Sequence, residues 1–536
     1  MELQLQLADI LSLILYLGGM ASIGVYFLRK NTSTEEYFVG GRSFVGWAVG
    51  LSMVGTSISS ITFLAYPADA YKTAWFRYLP NFMLPLGVFI AAYVFLPFFR
   101  RGRITSAYEY LEGRYGPSIR LYAASAFIVS QLVRISMILY LVSMVIMEIT
   151  GLSVTTCIFI AGIFVAVYTV IGGINAVIWT DVLQTVVLVV GGLLCFGIIV
   201  GRLPGGMGQI VAVACAEGKL SFSDWVDGRM EPISWGFSWT RKTGLMMLLL
   251  GLTNWLTEYS GNQNVVQRYC ASRSAREARK AMFVCAGASV PIWAFFMFLG
   301  TSLFVFFKEF PDPRAAAMLS GAQKAEQILP FFVIHYLPVG IKGIVIAAAL
   351  AAAMSSLDSS INAIATVGVV DILKRHLFPQ REDRWYLRMA WGLSLGAGLF
   401  MIVGAMILSE TESSTLQDIG TMINSVLGGG ILGVYLLGFL TRRGDARAVG
   451  CGILCTILFT GWTLLAKFAG EHLMNHSSLG PFFALILKIP FDLYYTTMIG
   501  NLILFSVGFL VGTWLPGQDR DWKNLTVWTQ EDTPLD

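Results

Sequence analysis

Charged residues are scarce in this chain: only 13% of its 536 residues are Asp, Glu, Lys or Arg, whereas 56% are hydrophobic. A soluble globular protein of this length carries about twice that charged fraction. Apolar runs of roughly 20 residues, which are typical of membrane-spanning helices, recur from one end of the chain to the other. Because a lipid-exposed backbone must satisfy its own hydrogen bonds, these runs predict an all-α polytopic membrane protein.

Signals for metal binding, secretion and separate soluble domains are missing as well. The seven cysteines form no CxxC pair, and the four histidines form no ligand cluster with them. The N-terminus lacks the basic region and the cleavage site of a signal peptide. The net charge of +4 gives no indication of a nucleic-acid partner. No loop is long enough for a second folded unit, so residues 1–536 are predicted to form one membrane domain.

The apolar runs predict about thirteen helices, at 8–28, 46–70, 78–98, 119–149, 153–171, 180–201, 238–262, 281–307, 341–369, 389–408, 415–440, 446–468 and 492–514. Four basic clusters follow helices that run inward if the N-terminus lies outside: 99–103, 267–280, 374–388 and 441–447. Because positive charge collects on the inner side, this pattern predicts an outside N-terminus. An odd number of helices then places the C-terminus inside.

Hydroxyl residues interrupt the span predicted at 46–70, in the sequence GTSISSITF at 55–63. Gly55 permits unusual backbone angles, and Ser or Thr side chains can satisfy an opened helical turn. One interpretation is a broken helix whose free carbonyl groups coordinate a small hard cation. The other is an unbroken helix in which the hydroxyls bond to carbonyls one turn earlier. This segment alone leaves both open.

A second polar stretch, AAAMSSLDSSIN, occupies residues 351–362. On a helix, Ala352, Ser355, Ser356 and Ser359 share one stripe, and Asp358 adjoins it. Small residues alone indicate a seam of close helix packing. A carboxylate at this depth is poorly explained by packing, and oxygen-only ligands suit a hard cation, so cation binding is the favoured hypothesis.

Arg134 lies near the centre of the predicted helix 119–149. It is about 20 Å from either end, so its guanidinium cannot easily reach water and needs an anion. An internal acid, Glu258 or Asp358, is one candidate for that anion, and a substrate carboxylate is the other.

Two further acids fall in membrane spans. Asp181 starts the predicted helix 180–201, where an acidic residue ordinarily caps the helix. Glu258 belongs to a second polar, glycine-containing segment, GLTNWLTEYSGNQNVVQR. Two interrupted helices in corresponding halves are typical of a transporter with its site at the bilayer midplane.

Several motifs together resemble the sodium/solute symporter family over nearly the whole chain: EEYFVGGRS (35–43), SSITFLAYPADAY (59–71), RITSAYEYLEGRYG (103–116), YTVIGGINAVIWTDVLQ (168–184), NVVQRY (264–269) and AAAMSSLDSSIN. The resemblance implies a LeuT-type core of two inverted five-helix repeats, here 46–201 and 238–440. One helix, 8–28, would precede the core, and the helices at 446–514 would follow it.

The resemblance also implies sodium sites. The first would use the carbonyl groups of Gly55, Ile58 and Ala352 with the hydroxyls of Ser355 and Ser356. A second site, found in some members, would involve Asp181, Asp358 and Ser359. Sialic acid members have serine at the position of Asp358, so this chain adds a negative charge there. That charge either strengthens cation binding, is protonated, or pairs with Arg134.

Within the family, the chain is most similar to bacterial sialic acid transporters, in which an arginine at the position of Arg134 binds the substrate carboxylate. The substrate hydroxyl contacts implied are Ser57, Ser59 and Thr62, with Asn81 in place of a longer glutamine. Asn254 and Thr257 are further candidates. The implied function is Na⁺-coupled symport of a small carboxylate-bearing solute, sialic acid, across the cell membrane of a bacterium, without enzymatic chemistry.

Three alternatives stay open at this point. The same fold could carry a neutral sugar or inositol, with Arg134 paired internally. A proton-coupled transporter could use Asp358 or Glu258. A channel or sensor is the alternative from another class, although the chain has no effector domain.

Overall fold

The computed structural model describes residues 5–28, 30–102, 104–226, 229–410, 429–468, 487–515 and 521–531. Helices dominate these ranges. In chain order they are α1 Leu7–Leu28, α2 Thr34–Val39, α3 Gly46–Ser57, α4 Ile61–Lys72, α5 Phe76–Arg101, α6 Tyr108–Tyr115, α7 Pro117–Thr150, α8 Val154–Val170, α9 Gly172–Arg202, α10 Gly206–Ala216, α11 Gly244–Gly261, α12 Gln263–Cys270, α13 Ala275–Glu309, α14 Pro313–Ser320, α15 Ile328–Tyr336, α16 Ile341–Leu377, α17 Asp383–Glu410, α18 Ile431–Leu440, α19 Ala446–Phe468 and α20 Tyr495–Trp514.

Every predicted span coincides with a helix or with part of one. The span predicted at 415–440 is represented by α18, and its residues up to 428 lie outside the described ranges. Among the described residues, nine helices are long and apolar enough to cross a membrane, or ten if α3 and α4 form one bent span. A multi-pass membrane protein is therefore confirmed, whereas the count of thirteen crossings and the outside N-terminus stay predictions.

On either side of the connection at 203–243, the described helices include five in chain order that the predicted repeats would use, and the repeat bounds 46–201 and 238–440 stay predictions. The first series consists of α3/α4, α5, α7, α8 and α9, and the second of α11/α12, α13, α16, α17 and α18. In both series the first helix is interrupted, so the two breaks occupy equivalent places. A small antiparallel hairpin, Ser223–Val226 paired with Arg229–Pro232, lies in the connection between the series.

The break between α3 and α4 follows from local backbone chemistry. Ile58 is extended (φ −96°, ψ 99°), which ends the helix at Ser57 and bends the pair by 61°. The Ser59 hydroxyl accepts a hydrogen bond from the backbone N–H of Ile61 at 3.2 Å and so satisfies part of the opened turn. The helix is therefore broken within GTSISSITF, whereas cation coordination by its carbonyl groups stays a prediction.

The start predicted for the helix at 180 is wrong. The helix α9 begins at Gly172, because Gly173 adopts a left-handed conformation (φ 55°) and joins α8 to α9 without a loop. Asp181 therefore lies well inside α9 and cannot cap its N-terminus. Its buried carboxylate needs another explanation.

Helix α16 is the centre of the structure, since 89% of its most apolar segment is buried inside the protein. It packs against α1, α7 and α9. Its N-terminal end is fixed by Asp9 of α1, whose buried Oδ1 accepts hydrogen bonds from the N–H groups of Gly340 (2.8 Å) and Gly343 (3.0 Å). These are otherwise unpaired donors at a helix N-terminus.

Replacing Asp9 by Ala should destabilise the protein. The change leaves the Gly340 and Gly343 N–H groups without the acceptor, at a cost of about 2 kcal/mol. Thermal unfolding in detergent should therefore shift to lower temperature. The variant Ser12→Ala on the same helix removes an exposed hydroxyl that bonds only within α1, so it serves as the control. Equal midpoints for the two variants would contradict the role given to Asp9.

Candidate functional site

The break in α3/α4 faces the middle of α16. The hydroxyl of Ser355 donates a 2.9 Å hydrogen bond to the carbonyl of Gly55 and approaches the carbonyl of Ala352 at 3.3 Å. Gly55 is required here, because a Cβ at this position would lie 2.8 Å from Thr185 Oγ1 and 3.1 Å from the carbonyl of Asp181. The absence of a side chain lets the broken helix approach α9 closely.

Three of the five residues of the first predicted sodium site line a small cavity, whereas Ala352 and Ser356 lie outside its lining. Gly55, Ile58 and Ser355 line it together with residues of α9 and α16: Gln184, Thr185, Leu188 and Ala351. The neighbouring Ser356 hydroxyl is buried and has no hydrogen-bond partner in the part of the chain that the structure describes. Carbonyl and hydroxyl oxygens without sulfur or imidazole fit a hard cation such as Na⁺.

The residues of the second predicted sodium site also come together. The Asp358 carboxylate is fully buried and accepts hydrogen bonds from Tyr168 Oη (2.9 Å) and Ser359 Oγ (3.3 Å). The Asp181 carboxylate accepts one from Ser52 Oγ at 2.5 Å, while its other oxygen, Oδ1, is buried without a partner among the described residues. An orphaned carboxylate oxygen is a suitable ligand for a cation.

Arg268 belongs to this cluster and was missed by the sequence analysis. Its guanidinium forms a fully buried ion pair with Asp181 (2.8 Å) and donates to the hydroxyls of Ser52 and Ser359. The first residues of the basic cluster 267–280, which the positive-inside pattern places after a helix, complete α12. The sequence signal for Arg268 is its spacing: it follows the polar Asn264 by four residues, so the two side chains share one face if the segment is helical.

The second interrupted helix is confirmed at Asn262. This residue is extended (φ −90°, ψ 111°) and caps α12 by accepting a hydrogen bond from the N–H of Asn264 at 3.0 Å. Its side-chain amide donates to the Glu258 carboxylate at 2.6 Å. The break therefore holds Glu258 in a defined position at the end of α11.

Arg134 of α7 is half-buried. Among the described residues it forms no hydrogen bond, and no carboxylate lies within 4.0 Å of it. Asp358, the other internal acid considered, makes its hydrogen bonds elsewhere. The guanidinium thus keeps its donors available near the break in α11/α12.

The other predicted substrate contacts occupy the two broken helices and α5. Ser59 and Thr62 are buried at the break in α3/α4, and Ser57 is half-buried beside them. Asn81 of α5 donates to the hydroxyl of Tyr66 in α4 at 2.9 Å. On α11, Asn254 is exposed, and Thr257 donates to the carbonyl of Thr253. Direct contact between these residues and Arg134 stays a prediction.

Two interrupted helices in a chain whose described residues include nine or ten apolar spans are typical of a membrane transporter. The model of the sodium:solute symporter family matches residues 37–454. The chain belongs to this family, as the motifs predicted. The matched relatives are transporters, which confirms that the chain is not an enzyme.

Individual relatives cover most of the chain. The sodium/sialic acid symporter NanT of Aliivibrio fischeri is 33% identical over 503 residues, which are 93% of this chain and 92% of the relative. The sodium/sialic acid symporter SiaT of Proteus mirabilis is 32% identical over 83% of this chain and 86% of its own length. The substrate-bound, outward-open structure of a Na⁺-coupled sialic acid symporter superposes with a TM-score of 0.84 at 28% identity, covering 96% of this chain and all of the other. This similarity confirms the predicted core fold.

Replacing Ser355 by Ala should weaken sodium binding, because the cavity loses the hydroxyl that faces Gly55. We expect the half-saturating Na⁺ concentration for thermal stabilisation to rise about tenfold, equivalent to about 1.4 kcal/mol. Ser302→Ala is the matched control, since Ser302 is a buried serine that bonds only within α13. An unchanged sodium response in Ser355→Ala would exclude the predicted first site.

Proposed function

We propose that this protein is a Na⁺-coupled symporter that imports sialic acid. The observation that carries the proposal is Arg134, a guanidinium inside a membrane helix whose donors are not used by the described residues around it. Burying such a charge is costly unless a partner compensates it. The carboxylate of a sialic acid is a suitable partner, and relatives that share most of the chain are sodium/sialic acid symporters.

The remaining substrate contacts follow from the position of Arg134. With the carboxylate held by the guanidinium, hydroxyl and amide groups of the sugar would be recognised by the polar residues of the broken helices and α5: Ser57, Ser59, Thr62, Asn81, Asn254 and Thr257. These side chains supply both donors and acceptors, as a polyhydroxylated solute requires.

Sodium would be bound on the other side of α3/α4. In the proposed first site, the carbonyl groups of Gly55, Ile58 and Ala352 and the hydroxyls of Ser355 and Ser356 are the ligands. In the proposed second site, Asp181, Asp358 and Ser359 are the ligands. The same short break therefore contributes to the sodium site through its backbone and to the solute site through its side chains. Sodium that favours one arrangement of the break changes the affinity for the solute, and the reverse follows by linkage.

The proposed architecture is a single transmembrane domain, 1–536, with the N-terminus outside and the C-terminus inside. The first repeat, 46–201, and the second, 238–440, are flanked by the N-terminal helix at 8–28 and the C-terminal helices at 446–514. Opposite placement of the two interrupted helices then brings both breaks to the middle of the bilayer.

Replacing Arg134 by Ala should abolish sialic acid uptake into proteoliposomes that carry an inward sodium gradient. Losing a charge-assisted pair in a desolvated site lowers uptake by about 100-fold. Arg134→Lys keeps the charge without the two-pronged geometry, so it should retain part of the activity. Sodium-induced thermal stabilisation should be unchanged in both variants, which shows that the sodium sites are intact.

The same uptake assay separates the rival functions. If the wild type transports neutral sugars or inositol and Arg134→Ala retains sialic acid uptake, the proposal is wrong and the solute is neutral. Uptake that persists without sodium and follows the pH gradient would favour a proton-coupled transporter. Flux that never exceeds equilibrium would favour a channel.

Replacing Asp358 by Ser, the residue of sialic acid members of the family, tests the added carboxylate. If Asp358 strengthens the second sodium site, the half-saturating Na⁺ concentration for uptake should rise about tenfold while uptake at saturating sodium is retained. Sodium flux per sialic acid, measured with radiolabelled ions, should keep the same ratio. A changed pH profile with unchanged sodium dependence would instead assign Asp358 to proton coupling.

A further inference from the structure

The interrupted helix α11/α12 carries a continuous series of hydrogen bonds. The Asn262 amide donates to Glu258 (2.6 Å), and the Asn262 side-chain oxygen accepts from the N–H of Asn264 (3.0 Å). The carbonyl of Asn264 accepts from Arg268 (2.6 Å), and Arg268 pairs with Asp181 (2.8 Å). We call this series, Glu258–Asn262–Asn264–Arg268, the polar relay.

One end of the relay lies at the proposed solute site. Gln131, which accepts the hydrogen bond of the Asn264 amide at 3.1 Å, lies on α7 one turn before Arg134, the proposed ligand of the solute carboxylate. A solute carboxylate bound to Arg134 adds a negative charge beside α11/α12, where Glu258 and Asn262 are half-buried. Because like charges repel, we expect Glu258 and the Asn262 amide that holds it to respond.

The other end lies at the proposed second sodium site. Arg268 donates to Asp181 and Ser359, two of the proposed sodium ligands, and to Ser52 of α3. A cation bound to Asp181 Oδ1 and Ser359 Oγ competes with Arg268 for the Ser359 oxygen and for the charge of Asp181. Arg268 must then change its hydrogen bonds, and Asn264, bonded to it, changes with it.

A further bond fixes the middle of the relay to the rest of the structure. The Asn264 amide donates to Gln131 Oε1 at 3.1 Å, and Gln131 lies on α7 one turn from Arg134. The same Gln131 oxygen accepts from Ser360 of α16 at 2.9 Å. All three side chains are buried, so the relay is held on both sides of the break in α11/α12.

We propose that the polar relay couples solute binding to sodium binding, with Asn262 and Arg268 as positioning residues rather than ligands. This inference rests on the proposed function and adds the physical link between its two sites. The relay has two arrangements: one in which Arg268 neutralises Asp181 and Glu258 lies near Arg134, and one in which sodium and the solute carboxylate replace these charges. Each ligand favours the second arrangement, so each raises the affinity for the other.

Asn262→Ser tests the relay with little disturbance of the fold. Serine is also a good N-cap, so it keeps the bond to the N–H of Asn264, but it is too short to donate to Glu258. The measurement is the Kd of N-acetylneuraminate for purified protein, with and without saturating sodium. We expect the ratio of the sodium-free Kd to the Kd in saturating sodium to fall at least about threefold in Asn262→Ser. Sodium-induced thermal stabilisation should be unchanged.

Two further variants separate coupling from stability. Glu258→Gln keeps an acceptor for Asn262 but removes the charge near Arg134, so the sodium-free Kd should decrease and the ratio should fall. Thr243→Ala removes the N-cap at the other end of α11, away from the relay, and should leave the ratio at the wild-type value. Equal ratios in wild type and Asn262→Ser would overturn the relay alone. A wild-type Kd that is independent of sodium would overturn the proposed function and the relay together.

Discussion

The buried ion pair between Arg268 and Asp181 is the interaction that holds the centre of the structure together. Removing two charges from water is expensive, and the pair is stable only because other groups complete its hydrogen bonds. Those groups come from three more places: Ser52 of α3, the carbonyl of Asn264, and Ser359 of α16. One guanidinium thereby joins both interrupted helices to the two helices that carry the proposed sodium ligands. A displacement of any of these elements therefore alters the hydrogen bonds of the others.

The breaks in α3/α4 and α11/α12 satisfy their exposed polar groups in two different ways. A polar group at membrane depth must be satisfied within the protein, because lipid offers no partner. At the first break, the carbonyl of Gly55 turns to a serine of another helix, and Ser59 satisfies the opened turn. At the second, an asparagine caps the new helix and also holds a carboxylate. The first break therefore presents neutral oxygen atoms, whereas the asparagine places the charged carboxylate of Glu258 at the second break.

The two helix breaks and the polar face of α16 could be predicted from the sequence, because each depends on residues that are close together in the chain. GTSISSITF and the polar segment around Asn262 predicted breaks, and the stripe of Ala352, Ser355 and Ser359 predicted a face that the structure turns towards Gly55. The errors have a common cause in tertiary context. Asp181 was taken for a helix cap because nothing in the chain reveals that Gly173 joins two helices without a loop. The role of Arg268 could not be predicted because its partner, Asp181, lies 87 residues away in the sequence.

The joint at Gly173 has a mechanical consequence. A side chain there would meet the ring of Tyr37 at 2.7 Å and Asn31 at 3.1 Å, in a backbone conformation that other residues adopt only with strain. With no loop between them, α8 and α9 share a hinge of one residue packed against α2. Tilting of α8 during a transport cycle would therefore pass directly to the helix that carries Asp181. The joint is also a poor place for an inserted tag or a protease site, since no slack chain exists there to accept one.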